Sequence, residues 1–264
     1  MKTEFVFIRK EKKYLIDETI CEQLKAEVTT YLMRERFKKS GDVSFVKSIY
    51  LDNCYWKTYY DHKNREGQRF KVRIRQYGFS GEECFVELKK KIDGVTFKSR
   101  FKIKKEWIGD FLKGKDILFK LSGYNKAMSH DRLVSIYREI KERIEFYQFE
   151  PVVLIKYQRE SFKNRDKKNR ITFDRNLCFE AFQNSFMETV KEFDAYPANT
   201  IIMETKTTGG RPDWLKELVS EYGLKKHRFS KYCTSIETIY RLQNDRYERI
   251  PSIGSKEKKY ARIS

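Results

Sequence analysis

The chain has 264 residues, 15% of them aromatic, and its 57 lysines and arginines against 38 acids give a formal net charge of +19. That length and aromatic content support a packed core and exclude a disordered chain. The longest aliphatic runs, such as VVLI at 152–155, are too short to cross a bilayer, and MKTEFVFIRKEKKY carries no apolar stretch followed by a cleavage site.

Residues 5–15 read as a first strand, with Arg9, Glu11 and Lys13 on one face. Asp17 reads as the cap of a helix striped by Ile20, Leu24, Val28 and Leu32. FVKSIYLDN (45–53) is β-branched and aromatic, a further strand. RFKVRIRQYG (69–78) alternates strictly, with Arg69, Lys71, Arg73 and Arg75 against Phe70, Val72 and Ile74. CFVELKKK (84–91) and VTFKSRFKIK (95–104) follow after short glycine turns, so the three form an antiparallel meander. In the last of them Lys98, Arg100, Lys102 and Lys104 oppose Val95, Phe97, Phe101 and Ile103. Helices are predicted over 105–121 and after Ser129. Strands follow at 151–162, 170–180 and 200–208, then a helix in RPDWLKELVSEYG and a last one near 229–242. Residues 243–264 read as a frayed basic tail.

About eight antiparallel strands with interspersed helices predict an α+β fold whose sheet closes into a barrel, with the helices packed outside. The apolar strand faces then meet the helices, and the cationic faces line a lumen. Two like charges about 8 Å apart repel by roughly 2 kcal/mol at an effective dielectric near 20, so such a lumen calls for a polyanion. Arginine forks and lysine point charges both suit phosphate oxygens. The five cysteines are odd in number, widely spaced and free of C-x-x-C pairs, which fits reduced thiols in a cytoplasmic protein and no zinc site.

In order, EKKYLI, VRIR, VELKKK, VTFKSRFK, YQRESF, RITFD, METK and HRFSKY resemble the VTC (vacuolar transporter chaperone) polyphosphate polymerase domain of the triphosphate tunnel metalloenzyme, or CYTH-like, superfamily. The resemblance runs from about residue 8 to 240. It implies a domain over 1–242 with the tail 243–264 outside it, and a basic β-tunnel. It also implies transfer of the ATP γ-phosphate onto inorganic polyphosphate or pyrophosphate, with a divalent metal, Mn2+ or Mg2+. The positions matching the family's motifs are Lys13, Arg73, Arg75, Lys89 and Lys98 for the phosphates near the reacting centre. Tyr157, Arg159, Arg170, Arg228, Ser230 and Lys231 match substrate contacts, and Glu204, with Glu11, matches the metal site. Arg228 stands where the family commonly has lysine. No SPX domain or membrane helix is expected within these residues, so a membrane partner is expected to be a separate chain.

The first strand has Arg9-Lys10-Glu11-Lys12-Lys13 where tunnel triphosphatases carry an E-x-E-x-K pair of acids, which favours polymerase over hydrolase. Metal-dependent triphosphate hydrolysis stays open. Glu87 reads as the ion-pair partner of a lysine more readily than as a metal ligand; Ser230 reads equally as a helix cap and Tyr157 equally as core. A silent polyphosphate-binding or RNA-binding module also remains open. Nucleic acid is not expected, because the cations alternate with core residues instead of with stacking aromatics and no K/R-G-F/Y-G-F motif occurs.

Overall fold

The computed structural model describes residues 9–37, 41–78, 81–182, 189–194 and 199–244. In chain order the elements are β1 (Arg9–Ile16), α1 (Glu18–Tyr31), β2 (Met33–Arg34), β3 (Ser44–Asp52), α2 (Lys57–Lys63), β4 (Gln68–Tyr77), β5 (Glu83–Ile92) and β6 (Val95–Lys104). A 3-10 turn (Lys105–Trp107) leads to α3 (Ile108–Leu112), α4 (Leu118–Tyr124) and α5 (His130–Tyr147). Then come β7 (Glu150–Lys163), β8 (Asn169–Phe182), β9 (Thr189–Asp194), β10 (Ile201–Thr208), α6 (Asp213–Glu221), β11 (Lys226–His227) and α7 (Lys231–Asn244). The tail predicted from 243 lies outside the described residues but for its first two positions, which continue α7.

Every ladder is antiparallel, and the path runs β11-β1-β10-β8-β7-β3-β4-β5-β6, with β2 on β7 and β9 on β8. The fold is α+β on one large antiparallel sheet. The expected barrel closure is corrected: among the described residues no ladder joins β6 to β1 or β11, so the path keeps two ends. The sheet nevertheless curls tightly. Six strand spacings separate β1 from β5, about 29 Å if flat, yet Glu11 and Lys89 approach within 3.9 Å.

Alternation decides what each face meets. Val72 and Ile74 of β4, Val86 and Leu88 of β5, and Phe101 and Ile103 of β6 pack under α3–α5 through Phe111, Leu121, Leu133 and Ile140. At the other side Tyr14, Phe162, Phe173 and Met203 receive Leu24 and Val28 of α1 and Leu215 and Leu218 of α6. Asp17 caps α1 as expected, its Oδ1 accepting from the Ile20 N–H at 2.8 Å. The helix expected over 105–121 is broken, with Gly114 at φ +77° between α3 and α4.

The expectation that all helices pack outside is corrected by α7. Its Tyr232, Ile236 and Ile239 pack on Val46, Tyr50, Ile155 and Ile202, which share the inner face with the cations. Asp52, fully buried, fixes this helix. Its carboxylate accepts from the Thr58 and Tyr59 N–H groups, from the Thr58 hydroxyl at 2.8 Å and from the Tyr232 O–H, so one acid anchors both α2 and α7.

A phosphate-sized cationic cavity

The inner faces of β1, β3, β4, β5, β7 and β10, with α7 on one side, line a partly open cavity of about 420 Å³. Among the described residues ten lysines and arginines line it, against two carboxylates, Glu11 and Glu204. Register explains the convergence. Lys13, on β1, lies opposite Glu204, which lies opposite Thr172; Glu11 lies opposite Lys206, which lies opposite Arg170. Tyr50 lies opposite Arg73, and Arg73 opposite Glu87. Cross-strand partners share a face, so rows of charge run around the curl.

Most of these cations are held in place by an acid. Arg73 donates through Nε and Nη2 to Glu87 at 2.8 and 2.7 Å, and through Nη1 to the Tyr50 oxygen at 3.0 Å. Lys98 meets the other Glu87 oxygen at 2.5 Å, which makes Glu87 the ion-pair partner expected from its position. Arg159 forms a fork on Asp174 at 2.5 and 2.7 Å, and Lys231 reaches the same acid at 2.6 Å. Glu204 pairs with Lys206 at 2.6 Å, and Glu11 with Lys13 at 3.4 Å. Arg75 has the Ser48 hydroxyl at 2.9 Å instead of an acid.

The field of these charges moves the local titrations. Burial pushes the Glu87 carboxyl up, but Arg73 and Lys98 outweigh it and bring it to about 2. Burial opposes ionisation of Glu204 too, yet Lys206 and Lys13 hold it well below the usual carboxylate range. Burial pulls Lys13 down, and Glu204 and Glu11 reverse this and raise it. The Tyr50 phenol, pushed up by burial, is drawn down to about 7 by Arg73 and Arg75. His62 falls to about 4 through burial and the Lys71 charge.

Of the positions singled out from sequence, Lys13, Arg73, Arg75, Lys89, Tyr157, Arg159, Ser230, Lys231, Glu11 and Glu204 all line this cavity. Lys98 sits beside it on Glu87. Arg170 is on the same face but away from the cavity lining, tied to Glu35 at 2.8 Å and to the Ser161 hydroxyl at 2.9 Å. Arg228 is exposed in the segment before α7 and does not line the cavity. Tyr157 serves both readings, being buried in the core under α7 while its ring receives Arg159 and Lys231. Sequence reading missed Tyr50, Asp174 and Lys71 as site residues. Lys71 was legible in the alternation of β4, and Asp174 only through its register with Arg159.

Two carboxylates hold the only acidic oxygens in the lining, and the described residues contain no group of three or more His, Cys, Asp or Glu placed to share a metal ion. A hard divalent ion needs six or more oxygens. These residues fit one when water and phosphate oxygens complete its shell.

The fold and site define the class: a curled antiparallel sheet that gathers cations about a partly open cavity. The VTC domain family model matches residues 8–240, and the chain belongs to that family. It is similar to vacuolar transporter chaperone complex subunit 4 of Trypanosoma brucei brucei, 24% identical over 275 aligned positions, covering 89% of this chain. The chain spans about a third of that relative, 35% of its length. Among solved structures it is similar to the PH1819 protein of Pyrococcus horikoshii OT3, with a TM-score of 0.43 and 16% identity over 88% of this chain and 99% of that one.

Proposed function

We propose that this chain is a polyphosphate polymerase that transfers the γ-phosphate of ATP to a growing inorganic polyphosphate chain within the cationic cavity. The observation that carries the reading is the lining itself, ten cations against two carboxylates, in a member of the VTC domain family. A polyanion turns the mutual repulsion of those cations into attraction.

Phosphoryl transfer needs positioning and charge neutralisation more than covalent help from the protein. Arg73 and Arg159 are pre-oriented by Glu87 and Asp174, so their remaining N–H groups meet a phosphate at little reorganisation cost. Arg75, Lys89 and Lys98 add charge around the triphosphate, and Lys13, between Glu11 and Glu204, stays protonated beside it. Ser230, Lys231 and Tyr157 border the same space and would contact the nucleotide's phosphates or the product chain. Arg170 and Arg228, off the cavity, would act on the chain as it leaves. A divalent ion, Mn2+ or Mg2+, would be held by Glu204 and Glu11 with phosphate oxygens. When bound it would offset charge on those oxygens. The acceptor, a terminal phosphate, is already ionised at neutral pH and attacks without a general base.

Hydrolysis would need a carboxylate to activate water. Both cavity carboxylates are engaged by lysines, which supports the polymerase over the triphosphatase reading. Incubation with ATP and Mn2+, with products resolved on a gel stained for polyphosphate and free phosphate assayed alongside, tests this. Long chains with ADP are expected. Free phosphate alone would make the chain a triphosphatase.

A further inference from the structure

Among the described residues two cavity lysines, Lys71 and Lys91, lack a carboxylate partner within ion-pair distance, and of the two Lys71 lies beside a hydroxyl. Its Nζ lies 3.0 Å from the Ser230 hydroxyl and 3.5 Å from the Cys233 sulfur, above the Tyr232 ring at 4.9 Å. All its close partners are neutral, and both Lys71 and Ser230 face the cavity. Ser230 stands just before α7, which Asp52 holds through Tyr232, so the pair is fixed by the fold.

Resting on the phosphotransfer reading above, we propose that Ser230, with Lys71 as its base, is a nucleophile that takes a phosphoryl group from the nucleotide bound in the cavity. The neutral Lys71 amine accepts the Ser230 O–H proton. The Oγ then forms a bond to the γ-phosphorus while the bond from that phosphorus to the β–γ bridging oxygen breaks, and the electron pair leaves with ADP. Phosphoserine remains, beside a Lys71 ammonium that now has the anionic partner it lacked. The protein thereby supplies an acceptor of its own where no inorganic acceptor is present.

Two further observations bear on the base. Burial holds the Lys71 amine below the ordinary lysine range, with Lys13 adding to the fall and Tyr50 and Cys233 opposing it. The groups facing it are Lys13 on β1, Tyr50 on β3, His62 on α2, Lys89 directly opposite on β5, and Tyr232 and Cys233 on α7, with Arg69 and Arg73 on its own strand. Even with a triphosphate bound, the nine other lining cations leave an excess of positive charge, which keeps favouring the neutral amine. A plain helix cap would need only the 3.4 Å contact from the Cys233 N–H to Ser230, and no lysine.

The test incubates the whole chain with ATP and Mn2+ without added acceptor, and reads intact mass and peptide mass alongside the polyphosphate gel. Wild type is expected to gain one phosphoryl group at Ser230, at a rate rising with pH, and Ser230→Ala to gain none. Lys71→Arg keeps N–H donors beside Ser230 but supplies no base at these pH values. Its phosphorylation is expected to drop about a hundredfold while its triphosphate binding, read by thermal shift, persists. Chains on the gel with no mass gain on Ser230 would overturn the proposal and leave the polymerase reading standing. Neither chains nor mass gain would overturn both. Undiminished phosphorylation in Lys71→Arg would remove Lys71 as the base.

Discussion

At the scale of single residues, Arg73 grips Glu87 with two nitrogens and Tyr50 with a third. Arg73→Ala should weaken triphosphate binding about tenfold to a hundredfold, the range of a lost charge-assisted hydrogen bond, with the far-ultraviolet circular dichroism unchanged. Isothermal titration with tripolyphosphate checks it. Glu204→Gln should abolish metal-dependent turnover and keep most of that binding, and full activity in this variant would remove Glu204 from the metal. Glu87 supplies a pH prediction. Its folded pKa, about 2, lies below the ordinary carboxylate value, so its contribution to stability is complete above that ordinary value and is lost as pH falls towards 2. Melting temperature should therefore fall between about pH 5 and pH 2, and Glu87→Gln, less stable at neutral pH, should show a flatter fall.

Among the elements, the eight long strands were legible because alternation reads directly as a two-faced ribbon. The meander β4–β6 stood in the sequence almost residue for residue. The two-residue strands β2 and β11 are too short to carry a period, and α2 hides behind an Asp52 whose partners lie from 1 to 180 positions away. Residues pointing inward were legible from the face they share, which is how Arg73 and Glu204 were found. Asp174 was not, because only the register of β8 against β7 brings it to Arg159, and that ladder shifts by a bulge near Lys156. Arg170 illustrates the converse: its face was right, but Glu35 sits within reach of it. Helix α7 was legible as an amphipathic helix, although nothing in its own pattern says that its apolar side meets the inner face of the sheet. Core and site also separate by element. Leu24→Ala in α1, fully buried away from the cavity, should cost about 2–5 kcal/mol in denaturant unfolding without changing triphosphate affinity.

For the molecule as a whole, ten cations face one cavity against two carboxylates among the described residues, so a polyanion should act as a folding ligand. Tripolyphosphate at a hundred times its Kd should stabilise the chain by about 2.7 kcal/mol, an increment that shrinks as salt is added. Scanning calorimetry at two ionic strengths measures it. No helix among the described residues is long and apolar enough to cross a membrane. The two unjoined ends of the strand path have a topological consequence. A ring must be threaded from a free terminus, whereas a clasp can be laid over the middle of a cord. Among the described residues the inner faces of β1 and β5 meet through a side-chain pair, Glu11 and Lys89, instead of a backbone ladder, and side chains part at far lower cost. Polyphosphate blocked at both termini with bulky groups should accordingly bind as tightly as the unblocked polymer in a competition assay, whereas a threaded ring would bind only the unblocked form.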